Sequence, residues 1–446
     1  MKDNTKPLLT IGIIFKNEAR CLRRCLESLS PLRKAIPSEL IMADTGCTDG
    51  SREIAAQYAD ILFDFPWVGD FSAARNGVMN RASGCWYMTV DADEILDKDI
   101  SELVNFLQSS GKSSELACGV VQRNYDTLEM DSKFSDFLAV RLIRMSSGLR
   151  YQGSIHEAWP LEEKGIRDVR ALSHTILHHD GYVEMDGERG REKRERNLTL
   201  LRDNLKQAPE DLKVLLQYIE SGRREPDYLE MLRRAAAAVE AKNSGWQLFG
   251  PPIFRHSVKA ALEEELGEFW EWAARAEKWF PDSFYTRIDV EYIAFTQALK
   301  EGNHSAAIQR GERCLRAIKK FRKNEESLAA TLFSTILMSS PYWEQGLEIY
   351  LADLYIKGGT PEHARELLLN IDGSLLDVQQ TGNLLCVLGD LHRLSRMDTT
   401  VMIQRLYKEI KTHEPSEETA RKREEMFCRT ATLAFLTQNQ KEELLE

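Results

Sequence analysis

Trp86-Tyr87-Met88-Thr89-Val90-Asp91-Ala92-Asp93-Glu94 is an apolar, strand-forming run that ends in three carboxylates within four positions. In an open α/β sheet, ligands lie beyond the carboxyl ends of the strands. An Asp-x-Asp pair at that edge is therefore placed to meet a divalent cation, which prefers hard oxygen ligands and shares them with substrate phosphates. Asp is also a favoured helix N-cap, so the motif takes its meaning from the sequence around it.

Upstream, short apolar strands alternate with amphipathic helices. Leu8 to Phe15 reads as a buried strand, and Glu18 to Leu29 carries Leu22, Leu26 and Leu29 at the helical period. Glu39 to Ala43 is a second strand. The turn-and-cap run Asp44-Thr45-Gly46-Cys47-Thr48-Asp49-Gly50 opens a helix predicted to reach Tyr58. Asp60 to Asp64 is a third strand, Phe71 to Ala82 a helix, and the strand ending at Asp91 follows. This βαβαβαβ order predicts an α/β, mostly parallel, Rossmann-like sheet with right-handed crossovers. Further strands are expected near Ala117 to Gln122, Phe137 to Arg144 and Ala171 to His178.

From about Glu184 onward the pattern is helical. Phe295 to Ala307 is echoed by Leu351 to Ala364, in which Gly302 to Ala307 and Gly359 to Ala364 share a five-residue step, and Gly222 marks an earlier hinge. Stacked helical hairpins of tetratricopeptide type give such repetition; an irregular helical bundle is the plainer alternative. The expected division is an α/β domain over 1–205 and an all-α helical-repeat domain over 206–446, which fits a chain of 446 residues.

A formal net charge of −11 argues against nucleic acid or an anionic membrane as the main partner. The eight cysteines include no Cys-x-x-Cys pair, as expected of reduced thiols in the cytoplasm. No stretch approaches the ~20 apolar residues of a membrane helix. Association of two copies through the helical domain is an open expectation.

Other residues fall at the same sheet edge. Asn17 and Glu18 close the first strand, where Asn17 either faces a nucleotide base or caps the next helix. Asp44 closes the second strand, where an acid can accept hydrogen bonds from a base or a ribose, or simply form a turn. Arg75 lies in Asp70-Phe71-Ser72-Ala73-Ala74-Arg75-Asn76, which opens a helix.

The order Phe15-Lys16-Asn17-Glu18, Asp44-Thr45-Gly46-Cys47-Thr48-Asp49, Asp70 to Asn76 and Asp91-Ala92-Asp93-Glu94 resembles glycosyltransferase family 2, of GT-A fold. Within it, the chain is similar to bacterial members with a helical-repeat tail, including peptide S-glycosyltransferases of the sublancin type. The resemblance implies that Phe15, Asn17, Glu18, Asp44 and Arg75 line a uridine pocket, that Asp91 holds the ribose or a metal-bound water, and that Asp93 binds a divalent metal, Mg²⁺ or Mn²⁺. Tyr151-Gln152-Gly153-Ser154-Ile155-His156-Glu157 looks like a Gly-x-x-His-Glu block, and His178-His179-Asp180-Gly181-Tyr182 like a His-x-Gly-Tyr block with His179 as a further metal ligand. Lys193 and Arg196 would neutralise a departing diphosphate, or else belong to a solvated charged helix. A Glu-Asp pair that many members use as general base has no clear copy; Glu157 and His156 are the candidates by position.

The implied activity is inverting, metal-dependent transfer of a hexose from a UDP-sugar to a peptide side chain, with cysteine as one acceptor. A saccharide or lipopolysaccharide-core acceptor is the rival. A nucleotidylyltransferase would need a glycine-rich basic loop after the first strand, which Phe15-Lys16-Asn17-Glu18-Ala19 lacks. A non-catalytic scaffold with a decayed transferase domain is the remaining class.

Overall fold

The computed structural model describes residues 6–109, 114–125, 134–161, 169–179, 188–323, 336–395 and 399–412. They form two compact units, one drawing on residues 6–125 and 136–256, the other on 257–323 and 336–412.

The first unit is built on β1 (Leu9–Phe15), α1 (Leu22–Ala35), β2 (Ser38–Asp44), α2 (Ser51–Ala55), β3 (Ile61–Asp64), α3 (Phe71–Met79) and β4 (Trp86–Thr89). β5 (Glu94–Leu96), α4 (Ser101–Ser109), β6 (Ala117–Tyr125), β7 (Phe134–Arg144) and β8 (Arg170–His179) complete the sheet. Among the described residues its eight strands run in the order β3-β2-β1-β4-β7-β6-β8-β5. The first four pair parallel, as the βα alternation predicts. β7 pairs antiparallel with β4 and β5 antiparallel with β8, so the sheet is mixed beyond β4.

Two local differences from the sequence reading matter. The fourth strand ends at Thr89, and the carboxylates lie in and just after a tight turn into β5, a strand the sequence did not announce. A three-residue strand carries too little periodicity to be read. α2 is also shorter than expected, stopping at Ala55 before an irregular turn.

Strand alternation sorts the core into two layers. Leu9, Ile11, Ile13 and Phe15 pack with Leu22, Leu26 and Leu29 of α1 and Leu103 and Phe106 of α4. On the other face Ile41, Ala43, Tyr87 and Ile143 pack with Val78 and Met79 of α3. Gly12 is required here: a Cβ on it would stand 2.1 Å from the Tyr87 hydroxyl, so the bare backbone makes room for the buried ring. The same unit continues through α5 (Glu188–Gln207), α6 (Leu212–Ser221) and α7 (Tyr228–Glu240); α8 spans Trp246–Glu263. Gly222 caps α6, donating its amide to the Tyr218 carbonyl at 2.7 Å.

The second unit contains α9 (Phe269–Trp279), a π-helical turn at Tyr285–Val290, α10 (Glu291–Lys300), α11 (His304–Lys323), α12 (Pro341–Lys357), α13 (Pro361–Leu368), α14 (Val378–Ser395) and α15 (Thr400–Thr412). The two repeated segments fold as helix–turn–helix hairpins, α10–α11 and α12–α13. Gly302 at φ +70° and Gly359 at φ +78° take the left-handed conformation that ends each first helix. Its core joins Ile349, Ala352 and Ile356 of α12 to Leu384, Leu388 and Leu391 of α14 and Ile403 and Leu406 of α15. Among the described residues, no helix is long and apolar enough to cross a membrane.

Candidate active site

The turn after β4 sets the geometry. Glu94 folds back so that one carboxylate oxygen accepts the Asp91 amide at 2.8 Å, pinning the carboxylate-bearing turn. Glu94 is fully buried, and its other oxygen pairs with Arg141 of β7. Burial, together with the neighbouring Asp91 carboxylate, pushes Glu94 up to about 7 from an ordinary 4.5, although Arg141 pulls the other way.

Asp91 lies between two guanidiniums. Arg75 of α3 donates to one oxygen at 2.6 Å and Arg141 to the other at 3.2 Å. Burial alone would raise the Asp91 carboxyl, but the two arginines hold it far below the usual carboxylate range. Arg75 also donates to the Thr89 hydroxyl at 2.7 Å and pairs through Nε with Glu157. The buried network thus sets Asp91, Glu94 and Glu157 against Arg75 and Arg141, three carboxylates to two guanidiniums.

A chain of hydrogen bonds then fixes one imidazole. A guanidinium can only donate, so where Arg141 meets Gln122 at 2.7 Å the glutamine presents its oxygen. The Gln122 amide nitrogen consequently donates to Asn124 Oδ1, at 3.1 Å. His179 Nδ1, 2.8 Å from that same oxygen, must donate to it. The polarity that starts at Arg141 therefore turns His179 Nε2 toward Asp93, whose Oδ2 lies 3.5 Å away. Burial by itself would lower the His179 imidazole, but Asp93 outweighs it and the net displacement is upward. Burial would raise Asp93, yet His179 and, further off, Lys193 bring it below its ordinary value.

Asp93 and His179 are an oxygen and a nitrogen donor on facing side chains. Two ligands about 2.1 Å from one cation stand roughly 3.0–3.5 Å apart, and the observed 3.5 Å matches. The donor chemistry and the fixed tautomer fit a divalent ion. Among the described residues no group of three His, Cys, Asp and Glu side chains gathers as a metal cage. Two protein ligands plus substrate oxygens is an ordinary complement for Mg²⁺ or Mn²⁺.

The other expected residues fall in three places. Phe15 is buried in the sheet core, and its carbonyl accepts from the Thr45 amide and hydroxyl. Asn17, at φ +56°, does not cap α1, whose N-cap is Cys21. Its side chain accepts from the Thr48 amide at 2.7 Å, clipping the loop after β1 to the loop after β2. Glu18 donates its amide to the Ser51 hydroxyl at 2.8 Å in the same clip. Asp44 accepts from the amides of Gly46 and Cys47 at 2.9 and 2.7 Å and pairs with Arg52 at 3.1 Å. Burial would raise Asp44, but those bonds hold it below the ordinary carboxylate value. Asp44 is thus both a turn residue and a fixed anion at the sheet edge.

The loop after β7 comes next. The Ser154 carbonyl accepts from the Phe71 amide at 2.9 Å, and Asn76 pairs with the Tyr151 backbone at 2.9 and 3.0 Å, so α3 holds the His156–Glu157 segment. His156 is exposed with φ +49°, while Glu157 turns inward to Arg75. At the start of α5, Lys193 is exposed and Arg196 lies over the Phe71 ring at 5.0 Å, the ring in turn packed edge-on against Trp67. Asp180, Gly181 and Tyr182 lie outside the described residues.

His178 points to the opposite face of β8, as strand alternation demands. Its two ring nitrogens meet Asp97 and Tyr125, each at 2.8 Å. Sequence reasoning missed Arg141, Gln122 and Asn124. No motif marks them; a charged residue in the apolar strand Leu138-Ala139-Val140-Arg141-Leu142 was the one signal available.

Residues 10–154 match the family model described as glycosyl transferase family 2. The chain is 25% identical over 221 residues to the SPbeta prophage-derived glycosyltransferase SunS of Bacillus subtilis, covering 47% of this chain and 48% of that protein. It is 32% identical over 181 residues to a TPR repeat-containing protein of Synechococcus elongatus, covering 39% and 42%. It is 34% identical over 101 residues to the lipopolysaccharide core biosynthesis glycosyltransferase LpsC of Rhizobium meliloti, covering 22% and 35%. The chain spans about half the length, or less, of these curated relatives. Among solved structures, a mannosyltransferase from Pyrobaculum calidifontis in complex with GDP-Man and Mn²⁺ aligns at 15% identity with a TM-score of 0.34, covering 61% of this chain and 85% of that one. The chain therefore carries a glycosyl transferase family 2 domain at its N-terminus.

Proposed function

We propose that the first unit is a metal-dependent, inverting glycosyltransferase that moves a hexose from a UDP-sugar to a peptide side chain. The observation that carries this reading is the Asp93–His179 pair beyond the sheet edge, with its imidazole tautomer dictated through Asn124, Gln122 and Arg141.

In this reading Asp93 and His179 hold a divalent cation. Such a cation, when bound, offsets the charge that develops on a departing diphosphate. Arg75 and Arg141 act as positioning residues, keeping Asp91 ionised and the turn rigid. Asp44, Asn17 and Glu18 shape the nucleoside side of the cleft through the clip between the first two loops. Lys193 and Arg196 bring positive charge toward the diphosphate. His156 is the better placed of the two candidate bases, because it faces solvent while the Glu157 carboxylate is engaged by Arg75. A thiol acceptor, with an ordinary pKa of about 8.5, asks less of that base than a hydroxyl does.

The peptide acceptor follows from the resemblance to peptide S-glycosyltransferases, and the relative named for lipopolysaccharide core biosynthesis supports a saccharide acceptor as the second reading. The test is UDP release from a panel of UDP-hexoses with Mn²⁺ and with EDTA, first without acceptor and then with cysteine-, serine- and saccharide-bearing acceptors. Metal-dependent release that falls about a thousandfold in Asp93→Asn, the rate equivalent of several kcal/mol of cation stabilisation, is the expected result. Equal release in EDTA and in Asp93→Asn would refute the metal reading, and no release with any donor would favour a scaffold.

A further inference from the structure

We propose that the second unit carries an anion-binding cleft for a compact, phosphate-bearing ligand, located between the π-helical turn and α11. The cleft has a volume of about 320 Å³, and its lining includes Arg287, Glu291, Arg313, Arg316 and Lys320 beside the buried Ala317. Four cations and one carboxylate thus line a hollow in a chain whose net charge is −11.

The arrangement follows from helix geometry. Arg313, Arg316 and Lys320 are spaced three and four residues apart and form one stripe along α11. At 1.5 Å per residue the stripe is about 10 Å long, the reach of a group with several anionic oxygens. Opposite it, the π-helical turn at Tyr285–Val290 places Arg287 and the adjoining Glu291 toward the same hollow. Single π-turns within helices recur at functional sites.

The cations are held but not saturated. Arg287 is steadied by the Pro281 carbonyl at 3.0 Å and by the exposed Asp282. Glu291 draws Arg313 to 3.6 Å and is itself shared with Arg310 at 3.1 Å. Arg316 has the exposed, same-helix Glu312 at 3.5 Å, a contact of little energetic weight. Lys320 is exposed and has no ion-pair partner among the described residues. Three guanidinium forks and an ammonium around one hollow suit a group that can accept from several forks at once, which a phosphate does and a single carboxylate does not. The volume lies at the small end of ligand pockets, which suits a compact ligand. Because the second unit supplies every lining residue, the cleft stands independently of the proposed transfer reaction.

The experiment is titration of the full chain, in EDTA and at constant ionic strength, with inorganic pyrophosphate and, separately, with a short phosphoserine peptide. Saturable binding is expected for at least one, weakened tenfold or more in Lys320→Glu and in Arg313→Gln/Arg316→Gln, and unchanged in Asp93→Asn. Preference for pyrophosphate assigns a small-molecule ligand, and preference for the peptide a modified polypeptide. Lys320 is solvent-exposed, so its reversal tests the cleft without threatening the fold. Absence of saturable binding, or binding lost in Asp93→Asn but retained in Lys320→Glu, would overturn the proposal.

Discussion

The rim of the sheet and the core of the helical unit solve opposite problems. At the rim, Arg75, Arg141, Asp91, Glu94 and Glu157 are largely withdrawn from water and hold one another by charge. In the helical unit, Ile349, Ala352, Leu384, Leu388 and Ile403 are withdrawn from water and hold one another by packing alone. Apolar packing is additive and forgiving. A buried charge network is not, because removing one member leaves its partners desolvated and unpaired. A protein gains little stability from such a network, so its presence at the end of β4 points to positioning, whereas the helical core points to support.

Five substitutions test that contrast, the first four in order of expected size and the fifth as a comparison for the last of them. Arg75→Met leaves Asp91 and Glu157 short of their shared cation; chemical denaturation should show a loss of about 3–5 kcal/mol, with transfer activity lost as well. Activity retained at full rate would mean that Arg75 positions nothing. Leu388→Ala removes a fully buried side chain from the helical core and should cost about 2–5 kcal/mol by the same measurement. Its turnover should stay at the wild-type level, and a fall matching that of Arg75→Met would erase the distinction between support and positioning.

The third effect is one of pH. Glu94 titrates near 7 in the folded chain against 4.5 for an ordinary carboxyl. Between those values the native state binds more protons than the unfolded state, so its contribution to stability is present below the lower value and lost as pH rises through the upper one. Melting temperature should therefore decline from pH 5 to pH 8, and Glu94→Gln should flatten that decline; an unchanged slope would show that Glu94 is not its source. The smallest effect is expected at Gly302→Ala. Nothing lies within 4 Å of the added methyl, so left-handed backbone strain at φ +70° is the whole cost, about 1–2 kcal/mol. The contrasting site is Gly84, where a Cβ would stand 2.5 Å from the Thr10 backbone nitrogen; Gly84→Ala should cost more by calorimetry.

Much of the fold was written locally. The leucines of α1 at the helical period, the glycine-ended hairpins at Gly302 and Gly359, and the alternation of His178 and His179 on β8 all appear where the spacing placed them. These features depend on neighbours within a few residues, and a chain's periodicity records such neighbours directly. The carboxylates beyond β4 were legible for the same reason.

Their partners were not. Arg141 lies 50 residues from Asp91, and Asn124 lies 55 residues from His179. Which cation meets which carboxylate over such separations is set by strand order, and β7 enters beside β4 only after the chain has built β5 and β6. Sequence alone determined most of the elements, β5 excepted, and it placed acidic and imidazole side chains at their ends. Tertiary structure decided that Arg75 turns inward to hold Asp91 and Glu157, that Asn17 clips two loops, and that one nitrogen of His179 faces Asp93. Hydrogen-bond polarity passes from one side chain to the next only when folding has brought them within 3 Å or so.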